Sequence, residues 1–303
     1  MDFDYVTFDT AFPWFFPTVA AIFGAMVGSF LNVVILRVPR GESIVHPGSH
    51  CACGQPIAWY DNLPVLSWLI LRGKARCCGR PYSIRYPLIE ALTAILFWAS
   101  WITHTPSAAL AGCVLVSLLI AATFIDLNHM IIPDSFTIWG GVVGVLLSFL
   151  LPSLHGQTDA PLYIVGSARS GLEALLGLLI GSGVVLWIGL VAEAILRKEA
   201  MGFGDVKFVG MIGAFTGWEG AVFTMFGGAV VGTVWFILAL GWQAVSGRKS
   251  AALRAETAEG EPTDLGFGAQ VPFGPMLAIA AAIYWLGGER WFTAWLDQIR
   301  ILW

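Results

Sequence analysis

Charged residues are scarce in this chain. Only 12% of its 303 residues are Asp, Glu, Lys or Arg, whereas 57% are hydrophobic. An ordinary soluble domain carries about twice that charged fraction, and a formal net charge of −4 offers no basic surface to a nucleic acid. The hydrophobic residues also form long blocks and do not alternate with polar ones. We therefore expect an all-α polytopic membrane protein whose surroundings are the lipid bilayer and which has no nucleic-acid partner.

No Lys or Arg precedes the first hydrophobic block, residues 14–36. A secretory signal peptide has a basic start, a shorter apolar core and a cleavage site of small residues. The block therefore predicts a retained first transmembrane helix.

Eight hydrophobic blocks predict about eight transmembrane helices, because each span needs roughly 20 apolar residues. They cover residues 14–36, 87–104, 107–125, 136–152, 171–196, 206–218, 220–243 and 271–288. The sixth block is short and follows a glycine-rich turn, which predicts a broken or tilted helix. Seven spans remain an alternative, since the charge pattern leaves the last block open.

Basic residues cluster in the segments 37–86, 197–207 and 244–270. With eight spans and an outside N terminus, all three segments lie on the cytoplasmic side, as the positive-inside rule requires. The sequence thus predicts an N-terminal segment with the first helix (1–36), a small cysteine-bearing cytoplasmic insertion (37–86) and a transmembrane domain (87–303). Residues 246–268 are small, charged or Gly/Pro and predict a flexible cytoplasmic loop.

Two aspartates approach the same predicted membrane boundary. Asp126 ends the third block and Asp205 precedes the sixth. Ionisable side chains at membrane depth are costly and usually face a cavity or a partner. Of two close carboxyl groups one retains a proton, so that the ionised group can take a proton from water while the other donates to a carbonyl oxygen. The pair predicts an aspartyl protease whose carboxyl groups titrate as a unit.

Three neighbours of Asp205 are candidate supporting residues. Gly202 and Gly204 allow a sharp turn and a close approach to a substrate strand. Lys207 either tunes Asp205 electrostatically or faces the anionic lipid surface.

Helix capping is the alternative interpretation of Asp205, because a carboxylate is favoured in the first turn of a helix. Capping does not explain Asp126, because this residue lies at the C-terminal end of a predicted helix, where the helix dipole disfavours an anion. Asp134 follows Pro133 and precedes the fourth block, so it predicts an N-cap.

Five sequence runs stand out, namely GSFLNVVILRVPR (28–40), WYDNLPVLSWLILRGKARCCGRPYSIRYPLIE (59–90), IDLNHMIIPD (125–134), KEAMGFGDVKF (198–208) and VPFGP (271–275). The fourth run contains the pattern GxGD within GFGDVK. In combination and in this order, the runs resemble the bacterial type IV prepilin peptidases, which are bifunctional leader peptidase/N-methyltransferases. The resemblance extends from about residue 22 to about residue 288.

The resemblance implies cleavage, after a glycine, of the basic leader of type IV prepilins or type II secretion pseudopilins. The reaction would occur at the cytoplasmic face of the bacterial inner membrane. Asp126 and Asp205 match the family's catalytic aspartates. The resemblance also implies N-methylation of the new N terminus, with S-adenosylmethionine as methyl donor. Glu90 is the candidate for holding the amino group of that cofactor, and capping of its own helix is the alternative.

Four of the five cysteines lie in the predicted insertion. Cytosolic cysteine clusters favour metals or reduced thiols over structural disulfides, and four thiolates suit tetrahedral zinc. The family pattern is two CxxC pairs, whereas this chain has CAC and CC, with His50 in the place of the missing first cysteine. Zinc, free thiols and a disulfide all stay open, as does His50 as a substitute ligand. The candidate ligands are Cys51, Cys53, Cys77 and Cys78.

Two other functions compete with this hypothesis. A GxGD protease could act on other transmembrane substrates without methylating them, but the cysteine-bearing insertion argues against that class. A transporter could use the carboxylate pair as a proton relay. Such transporters often carry inverted repeats, and no repeat is evident in this sequence.

Overall fold

The computed structural model describes residues 5–197, 201–246, 254–256, 262–264 and 271–300, and most of them are helical. The helices are α1 (Tyr5–Ala11), α2 (Phe15–Arg37), α3 (Leu66–Leu71), α4 (Arg85–Thr103), α5 (Pro106–His129), α6 (Asp134–Leu150), α7 (Tyr163–Leu196), α8 (Phe203–Ser246), α9 (Gly274–Ile283) and α10 (Glu289–Arg300). A π-helical turn, Tyr284–Gly288, joins the last two. Short 3-10 turns cover Val38–Arg40, Trp59–Asn62 and Pro152–His155.

A short antiparallel ribbon pairs β1 (Arg254–Glu256) with β2 (Pro262–Asp264). Both strands lie within the stretch 246–268 that the sequence predicts to be a flexible loop. Apart from these strands and the end of α8, that stretch lies outside the described residues, so its flexibility stays a prediction.

Five of the described helices are long and apolar enough to cross a membrane, namely α2, α4, α5, α7 and α8. The apolar helix α6 is shorter. These helices expose large apolar side chains, such as those of Leu179, Trp187 and Ile195 in α7, which are 62%, 69% and 74% exposed. Such surfaces suit hydrocarbon and not water. The prediction of a helical membrane protein is therefore confirmed.

The chain forms two compact units. The first contains Met1–Ala121 and Leu146–Ser170, and the second contains Ala122–Val145 and Gly171–Trp303. Their boundaries fall inside α5, α6 and α7. The division predicted from the sequence, into residues 1–36, 37–86 and 87–303, is based on membrane topology and not on packing. It stays a prediction.

In the first unit, α2 and α4 pack closely along two glycines. A Cβ atom on Gly28 would lie 2.7 Å from the Cα of Glu90, and one on Gly24 would lie 2.9 Å from the Cβ of Phe97. The Asn32 amide also donates to the Tyr86 carbonyl across the two helices at 3.2 Å. Small residues and hydrogen bonds between helices are the usual means of association in a membrane. These contacts hold the end of α2 beside the start of α4, and the insertion connects these two helix ends.

In the second unit, α8 folds back on itself at Gly217, which has a φ of 71°. A Cβ atom on Gly181 would lie 2.9 Å from the Val209 carbonyl oxygen and 3.0 Å from the Ala221 Cβ. In a straight helix, residues 209 and 221 would be about 18 Å apart. The two arms, 203–216 and 218–246, therefore form a hairpin. The break expected near the short sixth block lies at this glycine.

The first arm of α8 forms the core of the second unit. Phe208, Ile212 and Phe215 are completely buried. A Cβ atom on Gly144 of α6 would lie 2.8 Å from the Phe215 ring, and one on Gly228 of the second arm would lie 2.8 Å from Leu277 of α9. Helices α6, α7 and α9 thus pack around the hairpin and fix the starts of α8 and α9.

The contact between Gly177 of α7 and the backbone of Gly213 tests this packing. A Cβ atom on Gly177 would overlap that backbone, which cannot move aside as a side chain can. We expect Gly177→Ala to lower the free energy of unfolding by about 1–3 kcal/mol or more. The matched control is Gly183→Ala in the same helix, because nothing lies within 4 Å of its Cβ position. Thermal unfolding of both variants in detergent checks the difference, and equal midpoints would contradict the hairpin packing.

Candidate active site

Asp126 lies near the C-terminal end of α5 and is only 5% exposed. Its Oδ2 atom accepts a hydrogen bond of 3.0 Å from the backbone N–H of Gly274. Gly274 is the first residue of α9, where backbone N–H groups have no partner within the helix. The N-terminal dipole of α9 therefore favours an anion that the C-terminal end of α5 disfavours.

Only glycine fits at position 274 with this carboxylate in place. A Cβ atom there would lie 2.7 Å from the Asp126 Oδ2 and 3.1 Å from the Ile132 Cδ1. Both atoms are ends of side chains and can move. A larger residue would therefore displace the Asp126 carboxylate from its hydrogen bond more than it would unfold the protein.

Asp205 lies in the first turn of α8 and is half-buried. Its backbone N–H bonds to the carbonyl of Gly202 at 3.1 Å. The buried side chain of Ile132 lies between the start of α8 and the start of α9. A Cβ atom added to Gly204 would lie 3.4 Å from the Ile132 Cβ, and one added to Gly274 would lie 3.1 Å from the Ile132 Cδ1. The carboxyl groups of Asp126 and Asp205 are close enough to interact electrostatically. The two residues singled out by the sequence thus share one site.

The glycines before Asp205 do not adopt a backbone conformation that requires glycine. Neither Gly202 nor Gly204 is among the residues with positive φ, so a sharp glycine-specific turn is not what they provide. Their Cβ positions lie 3.5 Å from the Asp205 Oδ2 and 3.4 Å from the Ile132 Cβ, respectively. The absence of side chains leaves room beside the carboxylate.

Lys207 forms an ion pair with Asp134. Its Nζ atom is 2.6 Å from the Asp134 Oδ1 and 5.1 Å from the centre of the Phe203 ring. Asp134 is the first residue of α6, close to its predicted position as a cap. The ion pair therefore connects the start of α6 to the start of α8, and Lys207 has a carboxylate partner other than Asp205.

The four cysteines of the insertion come together at one place in the first unit. The Sγ atoms of Cys51 and Cys78 are 3.6 Å apart, those of Cys53 and Cys77 are 3.4 Å apart, and all four lie within 4.8 Å of one another. A tetrahedral zinc with Zn–S bonds of about 2.3 Å holds its sulfurs about 3.8 Å apart. All four are free cysteines, so the donor set fits zinc and does not form the disulfide left open by the sequence.

Two tight turns bring these cysteines together despite their spacing. The Gly54 N–H bonds to the Cys51 carbonyl, and the Gly79 N–H bonds to the Ala75 carbonyl, each at 2.8 Å. Both glycines have positive φ, 85° and 67°. The group of four does not include His50, whose Nδ1 atom lies 3.0 Å from the Gly48 carbonyl oxygen.

The electrostatics of the cluster are uneven. Hydrogen bonding by the Cys53 backbone, followed by the Cys77 and Cys78 thiols, lowers the pKa of Cys51 to about 7. Hydrogen bonds with the Cys53 and Cys51 thiols, followed by burial, raise the pKa of Cys77 to about 12. One thiol therefore ionises readily while its neighbours donate to it, as expected of sulfurs that compete for protons within one cluster.

The turn Trp59–Asn62 is tied to the second cysteine loop by an ion pair. The Arg76 guanidinium donates to both carboxylate oxygens of Asp61, with Nη2–Oδ1 at 2.8 Å and Nε–Oδ2 at 2.9 Å. This carboxylate raises the pKa of Arg76. Because Arg76 directly precedes Cys77, the pair fixes the loop that presents Cys77 and Cys78.

Glu90 has a different partner from those expected. It is 9% exposed, and its Oε2 atom accepts the backbone N–H of Val65 at 2.7 Å. The Ser29 side chain provides a second hydrogen bond. Helix α4 begins after its N-cap residue, Ile84, so Glu90 is the sixth residue of the helix and lies beyond its first turn. Capping of α4 by Glu90 is therefore wrong.

Sequence reasoning missed the parts of the site that Gly274 and Ile132 supply. Both occur in runs that carry the family resemblance, VPFGP and HMIIPD. A second signal was the unfavourable place of Asp126 at the end of a helix, which required a compensating donor from elsewhere. Nothing in the sequence pointed to α9 as the source of that donor.

Comparisons with known proteins match nearly the whole chain. Residues 22–104 match the bacterial peptidase A24 N-terminal domain, and residues 113–237 match the type IV leader peptidase family. No solved structure matches the chain significantly.

The relatives carry consistent names. A prepilin leader peptidase/N-methyltransferase of Myxococcus xanthus is 39% identical over 267 residues, which cover 84% of this chain and 71% of the relative. A protein of the same name from Aeromonas hydrophila is 33% identical over 313 residues, 92% of this chain and 94% of the relative. The type 4 prepilin-like proteins leader peptide-processing enzyme of Escherichia coli is 38% identical over 226 residues, 68% of this chain and 79% of the relative.

Proposed function

The chain belongs to the type IV leader peptidase family, and on this premise we propose that it cleaves the basic leader of type IV prepilins or pseudopilins and N-methylates the new N terminus. The observation that carries the cleavage is the shared site of Asp126 and Asp205, with the Gly274 N–H on the first carboxylate. The relatives' names favour this function over a protease that cleaves other transmembrane helices and does not methylate.

The cleavage chemistry assigns two states to the aspartate pair. One carboxyl group is ionised and takes a proton from the attacking water, while the other is protonated and donates its proton to the scissile carbonyl oxygen. We assign neither state to a particular residue, because a coupled pair titrates as a unit. Gly274 positions the Asp126 carboxylate, and the space beside Gly202 admits the substrate backbone.

An eight-span topology fits this chemistry. The two arms of α8 count as separate passages, because a 44-residue helix is about 66 Å long and the hydrocarbon core is about 30 Å thick. With the N terminus outside, the end of α5 and the start of α8 both face the cytoplasm with the basic segments. A prepilin would enter as an apolar helix from the bilayer, with its leader in the cytoplasm.

The two cofactors differ in their support. Zinc would be held by Cys51, Cys53, Cys77 and Cys78 and would give the insertion a structural core. S-adenosylmethionine is proposed as methyl donor from the relatives' names. Glu90 does not suit the cofactor's amino group, because its buried carboxylate already holds the Val65 N–H and Ser29. We give Glu90 a positioning role instead.

Asparagine at either aspartate tests the peptidase. Asp126→Asn and Asp205→Asn keep the shape of the side chain but remove the carboxyl group, so cleavage should fall by roughly 10²–10⁴-fold or more. Mass spectrometry of a prepilin incubated with purified protein and S-adenosylmethionine measures both steps. The wild type should remove the leader and add one methyl group, whereas either variant should do neither.

The exposed loop residue Asp159 offers a control, and Asp159→Asn should match the wild type. Retained cleavage in either site variant would contradict the pair. Leader loss without methylation by the wild type would favour the non-methylating alternative.

Alanine at Gly274 tests the positioning of Asp126. The added Cβ atom should displace the carboxylate, so Gly274→Ala should lose at least tenfold in kcat with little change in thermal unfolding. Gly241→Ala in α8 is the matched control, because nothing lies within 4 Å of its Cβ position. Wild-type kcat in Gly274→Ala would show that the hydrogen bond does not matter for cleavage.

Metal analysis tests the cysteine cluster. We expect one zinc ion per purified chain by mass spectrometry of the metal content, and its loss in the double variant Cys53→Ser/Cys77→Ser. Cys113→Ser should retain the zinc, since Cys113 lies in α5 outside the cluster. Wild-type protein without zinc, in which thiol titration finds all five cysteines reactive, would support the reduced-thiol alternative.

A further inference from the structure

The short helix α3 carries an exposed apolar face. Leu66, Leu69 and Ile70 are 55%, 57% and 70% exposed. They follow the i, i+3, i+4 spacing that places side chains on one side of a helix. Its opposite side is fixed to the insertion, because Ser67 is buried and the Trp68 indole N–H donates to the Tyr82 carbonyl at 3.4 Å. The apolar face therefore points away from the rest of the insertion.

A hydrogen bond fixes the depth of this helix relative to the membrane spans. Val65, which directly precedes α3, donates its N–H to Glu90 of α4 at 2.7 Å, and Ser29 of α2 bonds to the same carboxylate. Helix α2 continues from Ser29 to Arg37, a rise of about 12 Å. The headgroup layer of one leaflet is only about 5–7 Å thick. Val65 therefore lies near the hydrocarbon boundary and well below the end of α2.

The backbone at Val65 supports a defined position at this depth. Val65 has a φ of 61° and a ψ of −48°, a conformation that is costly for a β-branched residue. Such a conformation persists only where the surroundings impose it. The bond to Glu90 is one contact at this residue, and it holds the start of α3 against α4.

The exposed charges that follow α3 in the sequence are basic. Residues 63–89 contain five basic residues and no acidic one, and Arg76 among them pairs with Asp61. Arg72 caps the end of α3, and Lys74 and Arg80 are exposed beyond it. Basic residues beside an apolar segment at the membrane surface bind anionic headgroups. The basic residues beside α3 therefore complement anionic lipid headgroups.

We propose that α3 is an interfacial membrane anchor. Leu66, Leu69 and Ile70 insert into the edge of the hydrocarbon layer, and Arg72 and Lys74 contact anionic lipid headgroups. The bilayer is the occupant of this face because the Glu90 bond holds Val65 at the depth of the spans. The insertion is therefore only partly cytoplasmic, unlike the prediction for residues 37–86. The proposal needs the membrane spans and is independent of the aspartate pair.

Electron paramagnetic resonance on protein in lipid vesicles tests the anchor. The vesicles contain phosphatidylcholine with phosphatidylglycerol. Leu69 is replaced by p-acetylphenylalanine, which takes a nitroxide without touching the cysteines. Oxygen, which concentrates in hydrocarbon, should relax the nitroxide more than a water-soluble nickel chelate does. Gln55, exposed in the first cysteine loop, is the matched control and should show the reverse order.

Two outcomes at position 69 would overturn the anchor. The first is the same access to the nickel chelate as at position 55, and the second is poor access to both reagents, which would mean that protein covers α3. In vesicles of phosphatidylcholine alone the label should become more accessible to nickel. No change there would refute the part of the proposal that assigns lipid contacts to Arg72 and Lys74.

Substitution of Glu90 tests the cause of the depth. In Glu90→Ala the label at position 69 should gain access to the nickel chelate at least twofold, since Val65 loses its acceptor. Glu90→Gln retains an acceptor oxygen and should keep the wild-type accessibility. Unchanged accessibility in Glu90→Ala would show that the bond does not set the depth. If Glu90→Ala fails to fold, the comparison of positions 69 and 55 in the wild type still decides the proposal.

Discussion

A carboxylate buried at a membrane boundary needs a hydrogen-bond donor, and the site in the second unit depends on how Asp126 obtains one. The end of α5 supplies no free N–H groups, so the donor comes from Gly274 at the start of α9, far along the chain. This bond connects the end of α5 to the start of α9. Ile132 lies beside both Gly274 and Gly204, so it connects the start of α9 to the start of α8, which carries Asp205. Three separate segments thus meet around the Asp126 carboxylate.

Glycine packing makes that arrangement possible. Gly177 and Gly213 let α7 meet the first arm of α8 backbone to backbone, and Gly217 turns the second arm back along the first. The second arm then contacts α9 through Gly228. In hydrocarbon the hydrophobic effect does not drive helices together, so close van der Waals contact through small residues has to do so. The start of α9 therefore faces Asp126 because of contacts made well inside the helices.

The sequence predicted the residues that stand out by themselves, because a charged side chain is costly in an apolar helix. It missed the residues whose role depends on contacts with distant parts of the chain. Asp126 and Asp205 stood out because charges are expensive in an apolar chain, whatever their partners. Gly274 did not, because a glycine shows its role only once the carboxylate beside it is known. Lys207 was expected either to tune Asp205 or to face the anionic lipid surface, yet it forms an ion pair with Asp134, which lies far from it in the sequence. The cysteines depart from the family's two CxxC pairs, which left the metal open, but the tight turns at Gly54 and Gly79 bring the four sulfurs together in three dimensions.

Each of the two units contains a buried carboxylate that accepts a hydrogen bond from a distant backbone N–H, but the two carboxylates have different surroundings. Glu90 and Asp126 are both buried carboxylates on apolar helices, and each accepts a backbone N–H from a distant segment. What separates them is the rest of their surroundings. Glu90 also bonds to Ser29, so it meets donors only and is suited to hold Val65 in place. The carboxyl group of Asp126 is instead close enough to that of Asp205 for the two to repel each other when both are ionised, which adds nothing to the stability of the fold. Burial and a backbone donor therefore do not by themselves distinguish a carboxylate that holds a structure together from one suited to the proposed proton transfer, whereas a second carboxyl group beside it does.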